Sequence, residues 1–235
     1  MNHRHPTLLG LSSMAVRPLL DALTATLAAA GLPVRFEAAG GVETARRIRA
    51  GARADLAVLA HDALTALHRD GLLATVPLPL WDSDTVAAVP AAHPARPLDS
   101  PADLRTLLLS ATAVAHSTGP SGTALLALVG RLGLTGRLTL RQTPPGVPVA
   151  ALLADGTADL AFQQQSELAG HPGVRLLGRL PGDTAITSTF SAAVLATAPD
   201  PERARRLLPL LAADGASARA HGLRPSTGTA APGPN

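Results

Sequence analysis

The sequence predicts an α/β protein in which the chain forms two similar lobes, and three features support this fold class. Short apolar runs alternate with amphipathic stretches of helix length, a pattern typical of βαβ units around a mostly parallel sheet. Between residues 77 and 97 this pattern is interrupted by prolines around a short apolar run at 85–89. A motif from the first part of the chain also returns in the second part. Together these features favour two lobes over one continuous sheet.

The first lobe begins with three strand–helix pairs. Its strands are predicted at residues 7–11, 34–38 and 55–60, and its helices at 16–30, 42–50 and around 63–69. The first helix follows a Ser-Ser pair and the second follows a Gly-Gly pair. Polar and glycine residues at these places are typical of turns that open a helix.

The second lobe repeats this alternation. Ser100 is predicted to cap a helix at 101–109, with Pro101 at its first position. Further strands are predicted at 111–115, 138–141 and 160–163, and further helices at 123–132 and 147–154. A strand at 186–196 and a helix at 201–213 then return the chain to the first lobe.

These elements define the expected boundaries. The first lobe comprises residues 1–84 plus 188–225, and the second comprises 85–187. Two crossing strands, one at 85–89 and one near 184–189, are expected to join the lobes as a hinge. Residues 226–235 are predicted to form a disordered tail.

The repeated motif consists of a helix end, a glycine turn and the sequence Ala-Asp-Leu-Ala entering a strand. It occurs with Gly51 and Asp55 in the first half and with Gly156 and Asp159 in the second. Glycine after a helix provides the left-handed cap. Because each copy occupies the matching place in its half, the motif supports two lobes of the same design. The two aspartates are predicted to cap turns.

Composition excludes several classes of function. Three Phe, one Trp and no Tyr leave an aliphatic core, and the absence of Cys excludes disulfides and thiolate ligands. The net charge is +3, and the arginines are interleaved with acids, so no basic patch for nucleic acid is expected. No apolar run is long enough to span a membrane, and no signal peptide is recognised. The chain is expected to be cytoplasmic. The sequence predicts no oligomeric state.

Three polar loops, each placed before a helix, are candidates for binding an anion. Unpaired N–H groups and the positive end of the helix dipole favour negative charge there, and such loops follow the carboxyl ends of strands. A single loop of this kind is usually only a helix cap, whereas three in equivalent places indicate an oxyanion site. The expected ligand-binding residues are Ser12, Ser13, Gly40, Gly41, Thr118, Gly119, Ser121 and Gly122.

Over roughly residues 7–224 the chain resembles the molybdate-type type II solute-binding proteins. The resemblance lies in the Ser-Ser turn, in Gly-Gly-Val-Glu-Thr-Ala, in Gly119-Pro120-Ser121-Gly122 and in the Val147-Pro148-Val149 segment. It implies two Rossmann-like lobes joined by a two-strand hinge, the periplasmic-binding-protein type II fold. It also implies that Val147 contacts the ligand and that no cofactor is needed.

The chain departs from the molybdate binders after residue 161. Those proteins usually place a Tyr hydroxyl on the ligand there, whereas this chain has Phe162, Gln163 and Gln164. Amide groups both donate and accept, so they suit carboxylates and hydroxyls. This stretch resembles the aconitate isomerase branch of the fold. The resemblance implies a di- or tricarboxylate ligand, contacted by Gln163 and Gln164, and proton transfer within it.

His116, just before the third loop, is the candidate for the group that moves a proton. A histidine at a strand end is more often structural, and Glu37 and Glu43 near the second loop are alternatives. His61 and His68 lie seven residues apart without a third ligand, so no metal site is expected.

Two functions remain open from the sequence. The first is an enzyme similar to aconitate isomerase that catalyses an allylic proton shift on a polycarboxylate. The second is a substrate-binding protein of a molybdate-type ABC transporter, which would have to be exported to work. The absence of a recognised signal peptide favours the enzyme.

Overall fold

The computed structural model describes residues 6–94, 98–144 and 146–228, and it divides the chain into two compact units. Unit 1 contains the residues up to Asp82 together with those from Thr189 onward, and unit 2 runs from Ser83 to Ser188. The boundaries predicted from the sequence, 84/85 and 187/188, differ from these by two residues and by one residue. Residues 229–235 of the predicted tail lie outside the described residues. Within the tail, the Ser226 N–H donates to the Leu80 carbonyl at 3.0 Å.

Unit 1 opens with three strand–helix pairs, as the sequence predicts. They are β1 (Leu8–Ser13), α1 (Arg17–Ala29), β2 (Val34–Ala39), α2 (Gly41–Arg49), β3 (Leu56–Ala60) and α3 (His61–Arg69). A short 3-10 helix at Met14–Val16 links β1 to α1. The strand β4 (Leu78–Pro90) then leaves unit 1 and enters unit 2.

Unit 2 repeats this succession of elements. It contains α4 (Pro101–Ser110), β5 (Val114–His116), α5 (Pro120–Arg131), β6 (Leu140–Gln142), α6 (Ala150–Ala154), β7 (Leu160–Gln164), α7 (Gln165–Leu168) and β8 (Val174–Arg179). The chain returns to unit 1 through β9 (Thr187–Val194), followed by α8 (Pro201–Ala213), α9 (Gly215–Ala220) and β10 (Arg224–Pro225).

The sheets of the two units have the same arrangement of strands. In unit 1, β1 lies between β2 and β3 in parallel, and β9 runs antiparallel to β3. In unit 2, β5 lies between β6 and β7 in parallel, and β4 runs antiparallel to β7. Three parallel strands in each unit are therefore flanked by one antiparallel strand that belongs to the connection. The strands β8 and β10 additionally pair with β4 in the antiparallel direction. The predicted α/β class with two similar lobes is confirmed.

The repeated Ala-Asp-Leu-Ala motif has the same structural role in both units. The Asp55 carboxylate accepts from the Leu9 N–H at 2.7 Å, and the Asp159 carboxylate accepts from the Ala113 N–H at 3.0 Å. Each aspartate thus bonds the start of the parallel strand beside its own. Asp159 also holds the Thr112 N–H, at 2.9 Å. The sequence predicted that this strand begins at residue 111. Because the Asp159 carboxylate binds both N–H groups, β5 begins only at Val114.

Apolar side chains cover both faces of each sheet. In β3, Leu56 and Val58 pack into one core cluster, whereas Ala57 and Leu59 pack into another. In β7, Phe162 and Ala161 likewise belong to separate clusters. Strands covered on both faces are apolar throughout, which explains the continuous apolar runs in the sequence.

Ser100 caps α4 as the sequence predicts. Its hydroxyl accepts from the Asp103 N–H at 3.2 Å, and the Asp103 carboxylate accepts from the Ser100 N–H at 2.9 Å. This reciprocal pair is a capping box, with Pro101 at the first helical position. Among the described residues, no helix is long and apolar enough to cross a lipid bilayer.

Candidate functional site

In unit 1, two of the predicted loops meet at the carboxyl ends of neighbouring strands. Ser12 and Ser13 form the last residues of β1, not a separate loop, and Ser13 pairs with Ala39 at the end of β2. Gly40 then precedes α2, and a Cβ atom on Gly41 would lie 3.9 Å from the Ser13 hydroxyl oxygen. The structure therefore brings the Ser-Ser and Gly-Gly pairs together.

The two serines differ in their bonding. The Ser13 Oγ accepts from the Ala15 N–H at 3.3 Å and so caps the short helix. The Ser12 Oγ is fully buried and has no hydrogen-bond partner within the described part of the chain. A buried hydroxyl without a partner costs roughly 1–3 kcal/mol. The Ser12 hydroxyl is therefore unbonded within the described part of the chain, and the Ser13 hydroxyl, which accepts one bond, can still donate its proton to a ligand.

In unit 2, the start of α5 is built from hydroxyl groups and one essential glycine. The Ser117 Oγ accepts from the Gly119 N–H at 3.2 Å and lies 3.3 Å from the Ser121 Oγ. A Cβ atom on Gly122 would lie 1.9 Å from the Ser117 carbonyl oxygen, so only glycine fits there. Thr118 is half-buried beside them. The helix begins at Pro120, three residues earlier than predicted.

His116 ends β5 directly beside this loop and is 4% exposed. Its Nδ1 lies 3.0 Å from the Ser117 carbonyl oxygen. Because a carbonyl only accepts hydrogen bonds, Nδ1 carries a proton, and in the neutral ring Nε2 is the basic nitrogen. The ring also contacts the helix start, since a Cβ atom on Gly122 would lie 3.2 Å from Nδ1.

Strand register places three polar side chains on one face of the sheet of unit 2. His116 pairs with Phe162, which belongs to the core cluster beneath α5. Gln164 lies two residues beyond Phe162 and pairs with Thr85 of β4, so all three share that face. This face is therefore apolar along most of its length and polar at the carboxyl end of β5 and β7.

Two atoms of this polar end have no hydrogen-bond partner among the described residues. They are the Thr85 Oγ1 and the Gln164 Oε1, and both residues are almost fully buried. The Gln164 Nε2 donates to the Ser188 Oγ at 2.8 Å, which leaves the other end of the amide unbonded. Thr85 was not among the residues predicted from the sequence. The Thr85 hydroxyl and the Gln164 amide oxygen can therefore still form hydrogen bonds with a ligand.

Val147 and Gln163, also expected to bind the ligand, each make a hydrogen bond within the protein. The Val147 N–H donates to the Pro144 carbonyl at 3.1 Å, and the Gln163 Oε1 accepts from the buried Val149 N–H at 3.1 Å. The Val147 side chain is 39% exposed. The sequence predicted that α6 begins at Val147. Because Val147 belongs to a turn, α6 begins only at Ala150.

Glu167, for which the sequence predicted no role, has a carboxyl group in an unusual environment. Part of the residue is exposed, but protein atoms surround most of its carboxyl group. Burial raises the pKa of Glu167 to about 7, and a hydrogen bond from Gln163 opposes that rise. The available sign was an acid one turn beyond the wholly buried strand β7. Carboxyl groups with such pKa values occur frequently at functional sites.

The raised pKa of Glu167 predicts how stability varies with pH. The native state prefers the protonated carboxyl, so stability is lost as pH rises from about 4.5 to about 7. Glu167→Gln should remove this loss, which amounts to about 1–3 kcal/mol of unfolding free energy at pH 8. We therefore expect Tm of the variant to be higher by about 2–8 °C at pH 8, with little change at pH 4.5. Thermal melts of the exposed variant Glu202→Gln provide the control. Equal Tm differences at both pH values would contradict the prediction.

The other titratable candidates have structural partners. Hydrogen bonds from Arg35 and Arg47 lower the pKa of Glu37, and burial offsets only part of this effect. A hydrogen bond from Arg46 lowers the pKa of Glu43. These two carboxylates are therefore poor bases. The His61 Nδ1 lies 2.9 Å from the Ser191 Oγ. Across residues 6–94, 98–144 and 146–228, no three His, Asp or Glu side chains form a group that could hold a metal ion.

Comparison with known proteins agrees with this architecture. The family model for bacterial extracellular solute-binding proteins matches residues 8–224. Among curated proteins, an aconitate isomerase from a Pseudomonas species is 30% identical over 167 residues. That alignment covers 70% of this chain and 64% of the relative, so less than two thirds of the relative's length is matched.

Solved structures of anion-binding proteins share the fold. The periplasmic molybdate-binding protein of Azotobacter vinelandii has a TM-score of 0.70 at 16% identity, covering 92% of this chain and 98% of that protein. The sulfate-binding protein SubI of Mycobacterium tuberculosis has a TM-score of 0.75 at 18% identity, covering 95% and 88%. The predicted likeness to type II periplasmic binding proteins is confirmed, and the chain belongs to the bacterial extracellular solute-binding protein family.

Proposed function

We propose that the protein binds a small polycarboxylate and isomerises it by an allylic proton shift, as an enzyme similar to aconitate isomerase. The observation that carries the proposal is the position of His116. Its ring lies at the carboxyl end of β5 beside the start of α5, and the Ser117 carbonyl fixes the proton on Nδ1. A base at this place is close to the groups that would bind an anion. The 30% identity to an aconitate isomerase supports the choice of reaction.

In the proposed reaction, the His116 Nε2 removes a proton from the CH₂ carbon next to the double bond of the substrate. The electron pair of that C–H bond then spreads over three carbons and the attached carboxylate groups. The imidazolium returns the proton to the far carbon, and the double bond moves by one position. No atom is gained or lost, and no cofactor is required. General acid–base catalysis of this kind contributes about 10²–10⁴-fold to a rate.

Each unit carries its own proposed contacts for an anion. Ser12, Ser13 and the N–H groups after Gly40 and Gly41 belong to unit 1, and the helix start with Thr118, Gly119, Ser121 and Gly122 belongs to unit 2. The buried amide of Gln164, one end of which is unbonded, would bind a further carboxylate or hydroxyl group. We retain Gln164 as a contact and treat Gln163 and Val147 as supports, because their polar groups bond within the protein.

A ligand titration tests the binding part of the proposal. Thermal shift and calorimetry with cis-aconitate, citrate and molybdate should show saturable binding of the carboxylates and weaker binding of molybdate. Tight molybdate binding without carboxylate binding would overturn the proposal.

Two serine variants test the proposed contacts. We expect Ser13→Ala and Ser121→Ala each to weaken carboxylate binding by about 1–2 kcal/mol, the scale of one hydrogen bond to a charged group. Thr24→Ala in unit 1 and Thr106→Ala in unit 2 remove exposed hydroxyls and should leave the affinity unchanged. Wild-type affinity in both serine variants would place the site elsewhere.

We also propose that the two strands shared between the units, β4 and β9, act as a hinge. The connection between the units consists of these strands, with the boundaries at Asp82/Ser83 and Ser188/Thr189. Ligand-driven hinge closure is common among proteins of this kind. We expect the radius of gyration measured by X-ray scattering to fall when carboxylate saturates the protein. An unchanged value at saturation would contradict the hinge.

A second candidate is a substrate-binding protein of an anion transporter. The family description and the molybdate- and sulfate-binding relatives favour it, and hydroxyl and N–H groups suit a compact oxyanion. Binding of a carboxylate without any proton exchange would favour this candidate over the enzyme.

A further inference from the structure

Thr85 and Gln164 face each other on neighbouring antiparallel strands of unit 2. Thr85 of β4 is paired with Gln164 of β7, so both side chains lie on the same face, with Cβ atoms about 4.5–5.5 Å apart. Both residues are almost completely buried, and neither the Thr85 Oγ1 nor the Gln164 Oε1 has a hydrogen-bond partner among the described residues. The Ser83 Oγ, two residues earlier on β4, is buried and unbonded as well. Because buried polar atoms are nearly always paired in native proteins, this concentration indicates a place for a ligand group.

The two unbonded atoms of this pair differ in what they can bind. The Gln164 Nε2 donates to the Ser188 Oγ at 2.8 Å, which leaves unbonded the amide oxygen, an acceptor only. The Thr85 hydroxyl has a proton to donate. A carboxylate has no proton for the amide oxygen, and an ammonium group would leave the Thr85 proton without an acceptor. An alcohol hydroxyl satisfies both atoms, because it donates to the Gln164 Oε1 and accepts from the Thr85 Oγ1.

The pair also lies close to the proposed base. His116 of β5 is paired with Phe162, and Gln164 lies two residues further along β7 on the same face of the sheet as His116. Neighbouring strands are about 4.8 Å apart, so the two side chains lie within the span of one small polycarboxylate. A hydroxyl group held by Thr85 and Gln164 would therefore belong to the ligand that His116 contacts.

We propose that Thr85 and Gln164 determine specificity by binding an alcohol hydroxyl of the ligand, so that the protein prefers hydroxylated polycarboxylates over their deoxy analogues. The proposal rests on the proposed function for the carboxylate groups of the ligand, and it adds the hydroxyl. With cis-aconitate, which has no hydroxyl, a water molecule would donate and accept at the same place. Citrate supplies the hydroxyl itself, so it should compete with cis-aconitate and bind more tightly.

Thermal melts of the ligand-free protein test whether the Thr85 hydroxyl is unbonded. Thr85→Val keeps the branched shape of the side chain and removes only a hydroxyl that has no partner among the described residues. We expect Tm to stay the same or to rise by up to about 6 °C, because no native hydrogen bond is lost. Thr184→Val is the control. Thr184 is also buried in unit 2, but its Oγ1 donates to the Pro181 carbonyl at 2.5 Å, so this Tm should fall. A fall of Tm in Thr85→Val would overturn the proposal.

Calorimetry with a matched pair of acids tests the preference itself. Tricarballylate has the carbon chain and the three carboxylates of citrate, with a hydrogen in place of the hydroxyl, and at pH 8 both acids are fully ionised. We expect the wild type to bind citrate about tenfold more tightly than tricarballylate. The preference should fall below about threefold in Thr85→Val and in Gln164→Met, and it should stay at about tenfold in Thr184→Val.

Equal affinity for the two acids in the wild type would overturn the proposal, and so would an undiminished preference in Thr85→Val. If citrate, tricarballylate and cis-aconitate bind alike, the hydroxyl site fails while the proposed function stands. If citrate is preferred but cis-aconitate undergoes no proton exchange, the proposed reaction fails while the hydroxyl site stands. If the wild type binds none of the three acids, both fail.

Discussion

Replacing His116 with alanine is expected to lower the rate of allylic proton exchange in a bound polycarboxylate by about 10²–10⁴-fold. The imidazole is the proposed base, and the Ser117 carbonyl bonds Nδ1 so that Nε2 is available for the substrate proton. Because the ring is not a proposed ligand contact, the affinity for cis-aconitate should change by less than about tenfold. Proton NMR of the two aconitate isomers measures the rate, and calorimetry measures the affinity.

His68→Ala is the matched control for this variant. His68 lies in the last turn of α3 in unit 1 and is exposed, so its removal should leave the rate unchanged. Exchange at the wild-type rate in His116→Ala would exclude this histidine as the base. Glu167 would then be the next group to test, since its pKa of about 7 also suits proton transfer.

Gly122→Ala is expected to have the largest structural effect among variants of the candidate site. The added Cβ would lie 1.9 Å from the carbonyl oxygen of Ser117, and a backbone atom cannot move aside as a flexible side chain can. The loop and the start of α5 must therefore separate. We expect a loss of about 2–4 kcal/mol in stability, a Tm lower by about 5–15 °C, and carboxylate binding weaker by about 100-fold.

Gly130→Ala provides the control in the same helix. A Cβ atom there would lie 4.0 Å from the Thr135 Oγ1, so the alanine fits without a clash. Alanine is also favoured over glycine inside a helix by about 0.5–1 kcal/mol, so Tm should stay the same or rise. A Gly122→Ala protein that melts and binds as the wild type does would contradict the close packing at Ser117.

The fold could be predicted from the sequence because local patterns and packing agree. Alternating apolar runs and helical stretches gave the correct order of most elements, and the Asp55 and Asp159 motifs marked equivalent places in both units. The boundaries were less predictable where side chains bond the backbone. Asp159 shortens β5 in this way, and the turn at Val147 delays α6. The two Asp159 bonds join residues 46 and 47 positions apart in sequence, so a local pattern does not contain them.

The candidate site was predictable where it depends on loops that follow strands. The Ser-Ser pair, the Gly-Gly pair and the loop before α5 lie where the alternation of strands and helices places them. Individual side chains were not predictable, because Gln163 and Gln164 are identical neighbours that point to opposite faces of β7. Gln163 bonds Val149, whereas Gln164 keeps one unbonded end. The buried Thr85 carries no local signal that separates it from structural residues, and the one sign for the half-buried Glu167 is that it lies one turn beyond the wholly buried strand β7.

Proton exchange in deuterated water is the most direct test of the central claim. The protein is incubated with cis-aconitate in D₂O, and ¹H NMR follows the signals of the CH₂ and vinyl protons. The account predicts that the CH₂ signal is lost to deuterium and that trans-aconitate forms, both at rates proportional to protein concentration. Saturable binding of cis-aconitate, measured in the same sample, without exchange or isomerisation would contradict the enzyme and assign the protein to the binding class.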